Sequence, residues 1–433
     1  MKINLHLSLF LLIFISCKNE PKAPANSVAS STSSEWIELY NGKDFTGWKA
    51  ATEHDSTWTI ADGVMQAFGD RCHLFYTGDQ LKDGFKNFEL IAQIKTHKLA
   101  NSGIYFHTQY QAEGWPSKGF EIQVNNSHIG GGDYIEFKKT GSLYSVRNIY
   151  QTFTPDSVWY ETRALVEGKH VQIWVDGMKI VDYIEPENPL MHGLDSAHII
   201  GMGTFALQGH DVKSKTQYKS IKVRRLPDDA GKDVGPAPVM MPWYDTMKVL
   251  QGRQFAFIDL NTHSTLSIDS LMSDYYGYGI NVSVLKAPSS AGELSSLSKQ
   301  PVFKGLLVNT KDIKEINPAT KSDYTIGVST TLKEATELLN SGKINIWSHH
   351  GEPLTAKNTG ALIALAKKNN IAIEIDNEAK TPSMDVIAMA KSKGCRFTFA
   401  NLVPSSKLEK STYVFDVIKD IKLAYKDEWV PKM

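Results

Sequence analysis

Cysteine is scarce in this chain, with 3 in 433 residues. Cys17 lies beside an N-terminal apolar run, while Cys72 and Cys395 fall in different candidate domains. That excludes a disulfide framework and the paired CxxC spacing of zinc or redox sites, so stability must come from cores. A surplus of one charge is also absent: 47 Lys+Arg cancel 47 Asp+Glu. A balanced chain carries no electrostatic footprint for nucleic acid. No apolar run reaches the about 20 residues that a spanning helix needs, and no repeat of fixed period is visible, which argues against a solenoid. The composition, 42% hydrophobic and 22% charged, excludes a disordered tail protein and a collagen-like fibre. At about 150 residues per domain the length predicts two or three domains. Aromatic residues make up 10%, including 9 Trp and 17 Tyr. They suit either a sugar-binding face or a large β-rich core.

The N-terminus predicts export. Lys2 precedes the apolar run Leu5–Ile15, which ends at Ser16-Cys17. A basic start, a short apolar stretch and a small residue describe a secretory signal over residues 1–16. Phe14–Cys17 (FISC) resembles the lipobox of bacterial lipoproteins, which implies lipidation at Cys17. The segment 17–34, rich in Ser, Ala, Pro and Asn without apolar period, then reads as a tether. The expectation is a cell-envelope protein held to the membrane by a lipid anchor, on the periplasmic or surface side. An ordinary cleaved secretory signal is the alternative.

Two periodicities divide the rest. Residues 35–227 carry short apolar–polar runs such as Phe88–Ile94, Phe120–Val124 and His170–Val175. Asp62-Gly63 and Asp176-Gly177 sit between such runs as hairpin turns. This predicts an all-β jelly roll or sandwich. Residues 228–243 form a linker, with Pro227, Pro236, Pro238 and Pro242 punctuating the stretch. From 244 to 433, strands alternate with helices. Strands are expected at Phe255–Leu260, Ile280–Leu285, Ile344–Ser348, Ile371–Ile375 and Cys395–Phe399. Helices are expected at Ser270–Gly277, Thr331–Ser341, Lys357–Lys368, Ser383–Lys393 and Tyr413–Tyr425. Such alternation means parallel strands with right-handed crossovers, and six or seven of them suit an α/β barrel.

Strand alternation sorts side chains onto faces. Glu121, Gln123 and Asn125 oppose Phe120, Ile122 and Val124; Tyr105, His107 and Gln109 share a face; Gln208 and His210 oppose Phe205 and Leu207; Trp174 projects with Gln172. The pattern reads either as a solvated outer sheet or as a sugar-binding face. The choice of Gln, Asn, His, Tyr and Trp favours groups that hydrogen-bond and stack on sugars.

Leu39–Trp48 (LYNGKDFTGW) resembles the opening LFNGKDLSGW of the bacterial 3-keto-disaccharide hydrolase family. Asn101–Ile104, Gly119–Gln123, Gly141–Tyr144, Trp174–Gly177 and Ala206–His210 continue the resemblance in the family's order, over about residues 35–226. The resemblance implies a concanavalin-like jelly roll and cleavage of glycosidic bonds in 3-keto-sugars. A C3 ketone acidifies the C2–H, so a base can remove that proton while the C1 oxygen leaves, and water can then add. It further implies Glu121 and His210 as acid–base groups or as ligands of one divalent metal ion. Asn101, Tyr105, His107, Gln123, Trp174 and Gln208 would bind substrate. A non-catalytic glycan-binding lipoprotein remains the alternative.

Phe257–Thr265 (FIDLNTHST) resembles the D-x-H-x-H opening of polymerase-and-histidinol-phosphatase (PHP) domains, over about residues 253–425. Those are seven-stranded barrels with multi-metal sites. Asn261 stands for the first His, and Phe397–Pro404 lacks the two later ligands. The resemblance therefore implies a degenerate barrel, with His263, His349 or its neighbour His350, and Glu374 left to hold one ion. A metal-dependent phosphoesterase acting through this barrel is the second alternative, weakened by the missing ligands.

Overall fold

The computed structural model describes residues 35–131, 134–187, 189, 199–237, 250, 254–261, 279–316, 322–402 and 411–432. Cys17, the expected tether, His263, the helix expected at Ser270–Gly277 and the second half of the linker lie outside them.

The N-terminal half is a sandwich of two antiparallel sheets. One is five-stranded, in the spatial order Trp48–Ala50, Cys72–Tyr76, Thr204–Gly209, Ser102–Thr108 and Phe120–Val124. The other is eight-stranded. It runs from Met178–Ile184 through His170–Val175, Tyr160–Glu167, Phe88–Thr96, Thr216–Arg225 and Val64–Ala67 to Trp58–Ala61, with Ile37–Glu38 also on Thr216–Arg225. Both Asp-Gly turns occur as expected. Asp62 and Gly63 take φ of 52° and 72°, and Asp176 and Gly177 take 46° and 78°. Left-handed backbone at both central residues matches the twist of the flanking strands.

Tyr160–Glu167 alternates buried and half-buried positions, as a sheet wet on one side does. Phe120–Val124, Ser102–Thr108 and Thr204–Gly209 are instead buried at every position. Ile104, Ile122, Val124 and Leu207 join the core between the sheets. The opposite face of the five-stranded sheet, which carries Glu121, is thus covered rather than solvated.

The C-terminal half is a seven-stranded parallel sheet. Its order follows the chain: Ile258–Asp259, Asn281–Lys286, Phe303–Val308, Tyr324–Ser329, Ile346–His349, Ala372–Asp376 and Phe397–Ala400. The Leu260 N–H donates to the Phe399 carbonyl at 3.3 Å, bringing the first strand against the last in a near-closed barrel. Phe303–Val308 and Tyr324–Ser329 are strands that the sequence reading did not list. Helices Leu332–Asn340, Gly360–Lys368, Met384–Ser392 and Tyr413–Asp420 pack outside. Leu332–Asn340 begins with a reciprocal capping box between Thr331 and Glu334, which satisfies two orphan N–H groups.

The segment 134–150 joins the two halves. Phe137 and Tyr150 insert into a cluster with the barrel's Ile258, Phe303, Tyr324 and Ile346. The Tyr150 hydroxyl donates to the Phe255 carbonyl at 3.4 Å, and Asn281 Nδ2 to the Asn148 carbonyl at 2.6 Å. Tyr150→Ala should therefore cost about 3 kcal/mol or more, the usual scale for deleting a buried aromatic ring. Urea unfolding checks this; an unshifted midpoint would show that the joint is not a shared core.

Candidate functional site

On its covered face, the five-stranded sheet sets Tyr105 opposite Glu121, Gly103 opposite Gln123, and His73 opposite Gln208. The Tyr105 hydroxyl donates to Glu121 Oε2 at 2.8 Å, and Gln208 Nε2 donates to Glu121 Oε1 at 3.1 Å. Gln208 Nε2 also lies 3.1 Å from the Tyr105 hydroxyl, and Gln123 Nε2 donates to Asn101 Oδ1 at 3.0 Å. A carboxylate that is 7% exposed needs such donors, because burying it unpaired costs several kcal/mol. Gly103 supplies the room: a Cβ there would lie 2.3 Å from Glu121 Oε1.

These residues floor a cavity of about 350 Å³, a volume typical of small-ligand sites. Trp115 and Pro116 form one wall, Tyr134, Glu136 and Tyr144 another, and His210 a third. Trp115 is 45% exposed, yet it is held from several sides. The Arg71 guanidinium lies 5.2 Å from its ring centroid, and the His210 and His73 rings lie at 5.3 and 5.5 Å. Arg71 is itself clamped by both oxygens of Glu53. An exposed indole held from several sides offers a flat apolar face on which a ring can pack.

His210 Nδ1 is 2.6 Å from Asp211 Oδ2, which also accepts from the Ser214 hydroxyl at 3.0 Å. Burial pulls the Asp211 carboxyl up, but hydrogen bonds from His210, the Lys213 backbone and Ser214 outweigh it, holding the pKa below the ordinary range. An ionised Asp211 accepts the Nδ1–H of His210, which sets the tautomer with Nε2 as the acceptor nitrogen.

Glu136 is almost fully buried. It accepts from the Tyr134 hydroxyl, from the Lys138 backbone at 2.8 Å and from Lys138 Nζ at 3.3 Å, with the Tyr144 hydroxyl at 3.5 Å. Burial and the Glu136 charge push both phenols well above their ordinary pKa, so both remain donors. His73 has no hydrogen-bond partner at either ring nitrogen, and burial drives its pKa down to about 3, so it stays neutral.

The expected residues Glu121, His210, Asn101, Tyr105, Gln123 and Gln208 all line this cavity. Two others do not. His107 takes a left-handed φ of 55°, beside a register shift in the neighbouring strand. The break in alternation turns its ring to the Lys86 carbonyl at 2.8 Å and the Gly201 N–H at 3.2 Å. Trp174 lies on the eight-stranded sheet, where the Arg163 guanidinium sits 4.1 Å from its ring centroid. As for metal, Glu121 and His210 are the two expected ligands that line this cavity. Among the described residues, the one set of three close His, Cys, Asp or Glu ligand atoms is not here but at the barrel mouth. Sequence reasoning missed Trp115, Tyr134, Glu136 and the use of Tyr144. The signal for two of them was the period-two pair Tyr134 and Glu136.

The contact at position 103 yields a direct test. Gly103→Ala should keep the strand content and cost about 1–3 kcal/mol, as overpacking does. Circular dichroism with thermal unfolding reads both, and an unchanged melting point would contradict the contact.

Residues 35–224 match the family described as the 3-keto-alpha-glucoside-1,2-lyase-like domain. Over 133 residues the chain is 29% identical to a 3-keto-disaccharide hydrolase of Bacteroides thetaiotaomicron. That alignment covers 22% of this chain and 44% of the relative, so the chain spans less than half the relative's length. Among solved structures, a Parabacteroides distasonis protein described as a glycosyl hydrolase aligns with 23% identity and a TM-score of 0.39, covering 44% of this chain and 94% of that one. A carbohydrate-binding module of Bacillus subtilis aligns with 16% identity and a TM-score of 0.30, covering 42% and 97%. Over residues 35–224 the chain is thus similar to the 3-keto-alpha-glucoside-1,2-lyase-like domain.

Proposed function

We propose that the cavity cleaves glycosidic bonds of 3-keto-sugars by removing the C2 proton. The carrying observation is the Glu121 carboxylate, buried at the cavity floor and fixed at both oxygens by Tyr105 and Gln208. The match of residues 35–224 to the 3-keto-alpha-glucoside-1,2-lyase-like domain supplies the substrate class. Glu121 takes the C2 proton, the electrons pass into the C3 carbonyl as an enolate, and the C1–O bond breaks. Developing negative charge on oxygen calls for fixed donors. The Tyr134 and Tyr144 hydroxyls line the cavity and stay protonated, and would serve once their protons turn from Glu136 to the substrate oxygen. With its Nδ1–H held by Asp211, His210 would hand a second proton, carried on Nε2, to the leaving oxygen and then take one from water. Hydroxide from that water adds at C1 while Glu121, its proton exchanged with solvent, returns one to C2, which makes net hydrolysis; without that addition the product is the unsaturated keto-sugar. Trp115 would carry the ring's apolar face.

We also propose that the protein acts at the cell envelope as a Cys17-linked lipoprotein. Cys17→Ser should move it from the membrane fraction to the soluble fraction; an unmoved Ser variant would remove the anchor.

Glu121→Gln keeps shape and should lower turnover of a 3-keto-glycoside by about 10²-fold or more, the scale of a positioned base. Full activity would refute the assignment, and tight sugar binding with no turnover of any keto-sugar would favour a binding module. Asp211→Asn should lower turnover by about tenfold or more, because it frees the His210 tautomer. Its stability effect has a defined sign. The folded pKa of Asp211 is depressed, so its contribution is present above the ordinary carboxylate pKa and is lost as pH falls through the folded value. The stability gap between wild type and Asp211→Asn should therefore be full at pH 7 and shrink below about pH 4. Denaturant unfolding at both pH values measures it.

A further inference from the structure

The second feature that calls for a ligand lies at the C-terminal ends of the barrel strands. Glu374 and Asp376 are 4% and 2% exposed, on one strand two residues apart, and so on one face. His350 Nε2 stands 3.5 Å from Glu374 Oε1 and 3.9 Å from Asp376 Oδ2. One ligand atom from each of the three lies within 4.8 Å of the others. Among the described residues, neither carboxylate has a Lys or Arg partner; their hydrogen-bond and ion-pair partners are neutral groups or imidazole. Ser348 donates to Glu374 and Asn401 Nδ2 donates to Asp376 at 2.9 Å. Two carboxylates sharing a dry site against a single imidazole leave a charge deficit that burial makes expensive.

A second observation points to what offsets it. Asn261 is 1% exposed and its amide faces the cluster, with Nδ2 at 3.1 and 3.3 Å from the two Glu374 oxygens. Its Oδ1 is buried with no hydrogen-bond partner among the described residues. A buried carbonyl oxygen without a donor, on a side chain already against a carboxylate, is one amide rotation from being a cation ligand, since the two ends of the amide are nearly isosteric.

We propose that Glu374, Asp376, His350 and the Asn261 amide oxygen bind one divalent cation at the barrel mouth. Three oxygens and one imidazole suit a hard-to-borderline ion of the Mn²⁺ type, more than a thiophilic one. The reading corrects the expected ligand set. His349, expected as a ligand, is engaged elsewhere, between the Ser329 hydroxyl at 2.8 Å and the Glu352 carbonyl at 2.7 Å, while its neighbour His350 faces the carboxylates. This site is separate from the sugar cavity and does not rest on the proposed activity.

The test uses the full chain, stripped with chelator, and manganese chloride as the probe. Calorimetric titration should give one Mn²⁺ per chain, and saturating Mn²⁺ should raise the melting temperature, because only the folded state assembles the site. Glu374→Gln and Asp376→Asn should each weaken binding at least tenfold. Asn261→Ala, which leaves both carboxylates in place, should weaken it measurably, and folded variants are verified by circular dichroism. Glu121→Gln should bind Mn²⁺ as wild type does. No saturable Mn²⁺ binding by the wild type, or binding unaltered in the folded Glu374→Gln, Asp376→Asn or Asn261→Ala proteins, would overturn the proposal. So would loss of binding in Glu121→Gln.

Discussion

A carboxylate held inside a β-sheet face is the constraint on which the N-terminal half depends. Glu121 is buried, so both oxygens must be met, and Tyr105 and Gln208 from two neighbouring strands meet them. Their reach requires that nothing stand between the strands, hence no side chain at Gly103. It also requires a cover, because a face with a charge and three amides would otherwise be flooded. Trp115 provides that cover on one side and the segment carrying Tyr134, Glu136 and Tyr144 on the other. The cavity is what remains between floor and cover.

The same segment explains why a barrel follows the sandwich. Tyr134, Glu136 and Tyr144 face the cavity, while Phe137 and Tyr150 from the same stretch enter the barrel's core cluster. Backbone bonds knit the stretch to the strand of Glu121: Tyr144 N–H to the Glu121 carbonyl at 2.9 Å, and Gly141 N–H to the Gln123 carbonyl at 2.9 Å. A wall fixed to the sheet on one side and to the barrel on the other is stiffer than a free loop. Stiffness would matter for the proposed catalysis, which depends on preorganised donors. The barrel thus contributes to the cavity without lending it a residue.

Much of this was legible before any coordinates. Alternation in Phe120–Val124 and Phe205–His210 assigned Glu121, Gln123, Gln208 and His210 to one face, because strand periodicity is a local property. The Asp-Gly turns and the helix beginning at Thr331 were legible for the same reason. His107 was misplaced because a left-handed residue reverses the alternation, and the Gly201 and Lys86 backbone groups that hold it are remote in sequence. Trp174 was misplaced because periodicity assigns a face but not a sheet. Trp115, Glu136 and Tyr144 enter from loops, where no period applies and only tertiary packing brings the side chain in. At the barrel mouth, periodicity could not separate His349 from His350, since adjacent residues at a strand end differ only in which way the chain turns next.

The central claim is that cleavage passes through loss of the C2 proton. The most direct measurement is hydrogen isotope exchange, with a 3-keto-glycoside incubated in D₂O and the released sugar read by NMR. The account predicts that the released 3-keto-sugar carries deuterium at C2, above a protein-free control, and that an unoxidised glycoside is neither cleaved nor labelled. Cleavage that leaves the original hydrogen at C2 would mean direct displacement at C1, and would contradict the account.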